Sequence, residues 1–266
     1  MWAGTDKSNS DPRPHAAFGK QNFLKTRGFM ALTNTNVGAR ENHLLRALPQ
    51  GDYERLAPNL HLVSFSLGQV LYESGEAMHS VYFPTTSHIS LLYTMIDGST
   101  AEMGLVGKEG VVGIALFMGG ETTPNRAMVQ GGGGAYRMDA KAMLHEFNRG
   151  GDFQHLLLRY TQSLMTQISQ TAVCNRLHSV EQRLCRWLLM THDLAQSDEL
   201  EMTHEFISNM LGVRREGVSV AAQRLQAAGL ITYVRGHIQI LNRKELLARV
   251  CECYQVVRSE LDRLLG

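Results

Sequence analysis

The sequence predicts an α+β protein in which an antiparallel β-sandwich or roll leads into a mainly helical second half. Three observations carry that reading. Between Leu60 and Asp139, short runs of β-branched, aromatic and other apolar residues alternate with turn residues. All six prolines lie at or before Pro124, and no glycine occurs between Gly151 and Gly212, so the punctuation of the first half is missing from the second. The helical half then closes on a glycine turn, an arginine-bearing helical pattern and two short strand-like runs.

The 266 residues suffice for two cores, at the usual size of about 100–200 residues per domain. A hydrophobic fraction of 44% and a charged fraction of 19% describe an ordinary globular chain. No apolar run reaches the roughly 18 residues of a membrane span, and the N-terminus lacks a signal peptide's apolar stretch. The expected location is therefore the cytoplasm, with no membrane partner. The net charge of +1 is unevenly spread: Glu41–Val112 holds three Lys/Arg against eight Asp/Glu, whereas Gly212–Arg243 holds five Arg against Glu216 alone. A local basic footprint on an acidic body points to a small module that meets polyanions.

Taken in order, residues 1–40 are polar, contain Pro12 and Pro14 and have no apolar period, so a disordered extension is expected. Met30 offers an alternative start. Leu44, Leu45 and Leu48 form a short helical stripe closed by Pro49. The strand-like runs are Leu60–Phe65, Val70–Tyr72, Val81–Phe83, Ile89–Met95, Ala101–Val106, Val111–Ala115, Ala127–Gln130 and Ala135–Met138. Gly131–Gly134 lacks the Lys-Ser/Thr of a phosphate loop and is expected to be a turn between strands. The first domain is placed at 41–150.

A long helix is expected over 151–177, where Leu157, Leu164 and Thr171 recur every seven residues, joined by Tyr160 and Ile168. That stripe suits a short coiled coil with a second copy of the chain; packing on its own β domain is the alternative. Ser179 to about Leu194 forms a further helix within the last domain, 178–266. Cys174, Cys185, Cys251 and Cys253 are expected to be small buried hydrophobes. Cys251 and Cys253, two apart on a presumed helix, would point to different faces, and no metal site is predicted.

Thr203 can cap a helix whose stripe is Phe206, Ile207, Met210 and Leu211, and Gly212 supplies the left-handed turn residue. The next helix turns Val218, Ala221, Ala222 and Leu225 inward and Arg215, Glu216, Ser219, Val220 and Gln223 outward. Leu230–Tyr233 and His237–Leu241 are strands around an Arg235-Gly236 turn, and Asn242 caps a last helix with stripe Leu246, Leu247, Val250, Tyr254, Val257 and Leu261. This is a helix-turn-helix with a β wing. Arg215, Glu216, Ser219 and Val220 stand where a major-groove reader meets bases, Arg215 able to donate to guanine and Glu216 to accept from cytosine. Thr203, Arg214, Gln223, Arg224, Arg235 and His237 are the candidate DNA-backbone contacts, and small Gly217 and Ser219 are expected to allow close approach to the groove.

The run Met202–Ser219, with Arg215-Glu216 inside it, followed by Leu225-Gln-Ala-Ala-Gly-Leu-Ile231, strongly resembles the Crp/Fnr family of bacterial regulators. The resemblance implies a cyclic-nucleotide-binding-type β-roll (a double-stranded β-helix), a long dimerisation helix and a C-terminal winged helix-turn-helix. It also implies a homodimer that binds palindromic double-stranded DNA, regulates transcription and engages RNA polymerase. Val220 stands where the catabolite activator branch has a second base-reading arginine. In the nucleotide-binding branch a Gly-Glu and a later Arg-Ser hold the ribose and cyclic phosphate. Here Gly113-Ile114 and Arg126-Ala127 occupy those places, and Ser169 stands where an adenine contact comes from the partner. Losing the acceptor and one donor removes about 1–3 kcal/mol each, so cyclic AMP is not expected to bind; no cofactor is predicted. The absence of any cysteine before Cys174 excludes the family's iron–sulfur branch. A switch gated by another nucleotide or small anion is the alternative reading. Haem on His79 or His88 is a further option, and a cupin-type metal enzyme would need a closer spacing than His79, His88 and Glu102 provide.

Overall fold

The computed structural model describes residues 38–266, which form one compact unit. The disorder expected for 1–40 and the question of Met30 lie almost wholly outside the described residues. Two short helices, α1 (His43–Ala47) and α2 (Gln50–Leu56), precede seven strands: β1 (His61–Phe65), β2 (Val70–Tyr72), β3 (Ser80–Pro84), β4 (His88–Thr94), β5 (Thr100–Val106), β6 (Arg126–Gly131) and β7 (Gly133–Asp139). Helix α3 (Ala140–Asn148), the long α4 (Asp152–Leu177) and α5 (Val180–Ala195) follow. The remainder is β8 (Glu199–Glu201), α6 (His204–Leu211), α7 (Arg215–Ala227), β9 (Ile231–Val234), β10 (His237–Ile240), α8 (Arg243–Arg249) and α9 (Cys253–Leu265).

The first seven strands make two antiparallel sheets, in orders β1-β7-β3 and β2-β6-β4-β5, which is the expected roll. Their inner faces supply Phe65, Val81, Phe83, Ile89, Ala127, Val129, Ala135 and Met138 to one core. Gly131–Gly134 is not a hairpin turn. The chain crosses there from one sheet to the other, β6 and β7 belonging to different sheets. Gly133, at φ +153°, runs so close to the Thr86 backbone that a Cβ would sit 2.7 Å from its carbonyl carbon. The run Val111–Ala115 is also not a strand: only Val112 bridges to Tyr82 before the chain coils into turns.

Helix α4 lies on the roll through the stripe assigned above to a second copy. Leu157, Tyr160 and Leu164 are buried in the roll's own core, Ile168 packs against it, and Thr171 is buried with its hydroxyl accepting from Arg186. That assignment is corrected: those side chains are already spent on the chain's own fold. The exposed stripe is one position further round, at His155, Leu158, Gln162, Met165, Ser169, Ala172 and Arg176. It alternates in steps of three and four along the whole helix, the spacing of a coiled-coil seam.

The last helix of the sequence reading is two. Val250 takes an extended conformation, ψ 150°, and the chain breaks before α9 restarts at Cys253 and runs back along α4. Asp193 on α5 fastens this return: it accepts from Arg243 at 2.6 Å and from Arg258 and Tyr254, both at 2.7 Å. Among the described residues, no helix is long and apolar enough to cross a membrane.

Candidate nucleic-acid interface

Local chemistry builds the helix-turn-helix. Thr203 caps α6, its hydroxyl accepting from the Phe206 amide at 3.1 Å. Gly212 ends α6 in the left-handed region, φ 60°, where a Cβ would be strained. Arg183 of α5 donates to the Leu211 carbonyl, covering a helix end that has no partner within α6. Ile207, Met210, Leu211, Val218, Ala221, Ala222 and Leu225 then share a core with Trp187, Leu188 and the hairpin residues Ile231 and Ile238.

With that face buried, α7 presents Arg215, Glu216, Val220, Gln223 and Arg224 to solvent, and Arg214 sits exposed at its N-cap. Two outward assignments need correction. A Cβ at Gly217 would rest in ordinary contact with Val180, 3.9 Å away, so this glycine faces α5 rather than the open surface. Ser219 is half-buried, its hydroxyl donating to the Arg215 carbonyl at 3.1 Å and lying 3.0 Å from His204 Nδ1. Arg224 also reaches Glu181 of α5, at 3.7 Å.

The wing is a three-stranded antiparallel sheet, β8-β10-β9. Its tip is tight because Arg235 (φ 49°) and Gly236 (φ 89°) are both left-handed, the requirement of a type I′ turn. Arg235 and His237 are exposed there. Sequence reasoning missed His204, which joins the parts. Its ring stacks on Tyr233 of the wing with centroids 3.9 Å apart and faces Ser219 of α7, and its amide donates to the Tyr233 hydroxyl. Burial, and then the charge of Arg215, hold its pKa below the usual histidine value, favouring a neutral ring. A histidine beside a helix cap has no sequence signal that would mark this role.

A second polar cluster ties the roll to α5. Glu102 of β5 is buried, lies 2.6 Å from Ser90 Oγ and accepts from Trp187 Nε1 at 3.0 Å, while Gln130 Nε2 donates to Thr191 at 3.2 Å. Burial pushes the Glu102 carboxyl up to about 7, against the opposing effects of those hydrogen bonds and of Arg186.

The nucleotide-type positions sit in different settings. Arg126 makes a two-point ion pair with Glu73, at 2.7 and 3.0 Å, on the surface. Ala127, its neighbour on β6, points the other way and is fully buried; Ile114 packs on the core, and Ser169 lies on the exposed seam of α4. Gly113 adopts φ +103° against the β3 backbone. An open cleft of about 730 Å³ lies elsewhere, between Tyr93, Thr100 and Met103 of the β4–β5 hairpin, Ile168 of α4, and Asn209 and Val213 of the helix-turn-helix. His79 is exposed, whereas His88 is buried with both ring nitrogens unpartnered among the described residues, and burial lowers its pKa to about 4.

Comparison with known families agrees with this geometry. A cyclic nucleotide-binding domain model matches residues 62–149, and a Crp-like helix-turn-helix domain model matches 182–249. The chain belongs to the Crp/Fnr family. It is a DNA-binding transcription regulator. Solved structures share the fold at low identity. A protein from Eubacterium rectale, described as a Crp/Fnr-family transcriptional regulator, is 16% identical with a TM-score of 0.64, the match covering 77% of this chain and 96% of that one. FixK2 from Bradyrhizobium japonicum is 17% identical at TM-score 0.62, covering 72% and 98%. CLP from Xanthomonas campestris, a c-di-GMP-responsive global regulator, is 16% identical at TM-score 0.58, covering 73% and 100%. No curated protein matches the sequence.

Proposed function

We propose that this Crp/Fnr-family regulator acts in the cytoplasm as a homodimer on two-fold symmetric double-stranded DNA, without responding to cyclic AMP. The observation that carries the DNA reading is the N-terminal face of α7, where Arg214, Arg215 and Glu216 stand exposed over a fully packed inner face. Arg215 donates to guanine O6 and N7, Glu216 accepts from cytosine N4, and exposed Val220 meets a thymine methyl. Ser219 supports Arg215 from beneath and reaches a base edge only if its bond to the Arg215 carbonyl opens. Thr203, Arg214, Gln223, Arg224, Arg235 and His237 meet phosphates on either side of the groove. RNA polymerase is the expected protein partner.

The two copies meet along Leu158, Met165, Ser169 and Ala172, the exposed three-four stripe of α4. Leu158 and Met165 are 48% and 57% exposed in the single chain, and pairing would remove that apolar surface from water. Cyclic AMP is not the effector because Arg126 already has a carboxylate partner, and Ile114 and Ala127 supply neither acceptor nor donor. No catalytic role is assigned to the roll.

Selection of bound sequences from random DNA tests the reading. A palindrome with half-sites about one helical turn apart is expected; recovery of single, asymmetric half-sites would sink the dimer. Calorimetry with cyclic AMP, cyclic GMP and cyclic di-GMP checks the roll, and strong heat with cyclic AMP would overturn its part of the proposal.

A further inference from the structure

We infer that Cys174, His178, Cys251 and Cys253 form a structural zinc site that pins the end of the long helix to the break between α8 and α9. The four ligand atoms all lie within 4.8 Å of one another. Cys174 and His178 come from the last turn and C-cap of α4. Cys251 sits in the break, and Cys253 opens α9. This corrects the expectation that Cys251 and Cys253 diverge along one helix: with the helix broken between them, both thiols turn to the same point.

The spacing fits one ion. Tetrahedral bonds of about 2.3 Å to sulfur and 2.0–2.1 Å to nitrogen require edges of about 3.8 Å between sulfurs and about 3.6 Å between sulfur and nitrogen. Cys174 and Cys251 sulfurs are 3.6 Å apart, and Cys253 Sγ lies 3.6 Å from His178 Nδ1. The donor set, three sulfurs and one imidazole, is soft and suits Zn²⁺ over Mg²⁺ or Ca²⁺. All three cysteines are buried, and four protein ligands leave no open position, which makes the site structural rather than catalytic.

Two surrounding groups are those a zinc site needs. The other nitrogen of His178, Nε2, lies 3.3 Å from the Glu252 carboxylate, so the residue between the two cysteines orients the imidazole that completes the set. Three thiolates around a dication carry a net charge of −1, the three thiol protons having left to solvent on binding. Arg186 supplies the opposing charge. It is buried, acts electrostatically on Cys174 and Cys253, and keeps Nε and Nη1 without partners among the described residues. An anionic metal centre beside it accounts for a cation otherwise expensive to bury.

The test uses the untagged full-length chain, purified under reducing conditions without chelator. Elemental analysis is expected to find about one zinc per chain. Replacement by Co²⁺ is expected to give thiolate-to-cobalt charge transfer and tetrahedral d–d bands. Cys174→Ser is expected to lose those bands. Glu252→Gln, a surface change that leaves every ligand in place, is expected to keep them with affinity lowered about 10–100-fold. The Co²⁺ spectrum of the unaltered chain stands even where a cysteine variant fails to fold. Reduced protein that carries no zinc and gives no cobalt–thiolate band would overturn the site. A Glu252→Gln chain binding Co²⁺ as tightly as the unaltered one would overturn the orienting role of Glu252.

Discussion

Replacing Glu102 by Gln should make the protein more stable at neutral pH and leave it nearly unchanged in acid. Ser90 has one hydroxyl proton but faces two acceptors, Glu102 at 2.6 Å and Gln130 Oε1 at 2.8 Å. A protonated Glu102 resolves this by donating to Ser90, which then donates to Gln130, while Trp187 still donates to the other carboxyl oxygen. Burial raises the carboxyl pKa from an ordinary 4.5 to about 7, so the folded chain holds a proton that the unfolded chain has released. The contribution is therefore fully present below about pH 4.5 and is lost as pH rises to about 7, some 3 kcal/mol in all at 1.36 kcal/mol per pKa unit. A glutamine amide donates to Ser90 and accepts from Trp187 at every pH, which removes the titration. Urea unfolding of both proteins across this range is the assay. The Glu102→Gln chain should gain roughly 2–3 kcal/mol on the unaltered chain between about pH 5 and about pH 8. Parallel pH profiles would refute the claim that this carboxyl is protonated between the roll and α5.

Further consequences concern the seam, the wing and the roll. Met165→Glu should convert the dimer to single chains by light scattering, whereas Leu164→Ala, buried against the roll, should cost about 2–5 kcal/mol of stability without changing the mass; the reverse pattern would restore the inner stripe as the interface. Arg235→Gly should relieve about 1 kcal/mol of left-handed strain at the wing tip while lowering operator affinity and reducing the salt slope by about one phosphate contact. A gain in affinity would remove Arg235 from the DNA surface. Arg126→Ala should change stability by no more than about 1 kcal/mol, as befits an exposed ion pair, and leave operator binding intact; loss of binding would mean that the pair has a regulatory role.

The parts legible in the sequence are those specified locally. Thr203, Gly212 and the Arg235-Gly236 pair each dictate a cap or turn through their own chemistry, and each forms as expected. The β strands were readable for the same reason, since turn residues bound them. What failed depends on distance. Leu157 with Leu164 and Leu158 with Met165 are adjacent seven-residue stripes on one helix, and periodicity alone does not say which of the two meets the roll. Nothing at Val250 marks a helix break, because no glycine or proline stands there and tertiary packing imposes the extended conformation. Cys174 and Cys251 lie 77 positions apart and Glu102 and Trp187 lie 85 apart, so only the fold brings each pair together.

The central claim is that the N-terminal end of α7 reads base sequence through Arg215. Its most direct test is a cycle of four affinities: the unaltered chain and Arg215→Ala, each on the selected operator and on an operator with one symmetric G·C pair per half-site changed. Arg215→Ala is expected to cost about 1–3 kcal/mol per contact on the selected site and to lose the distinction between the two operators. An Arg215→Ala chain that binds the selected site as tightly as the unaltered protein, and still discriminates at that pair, would contradict that claim.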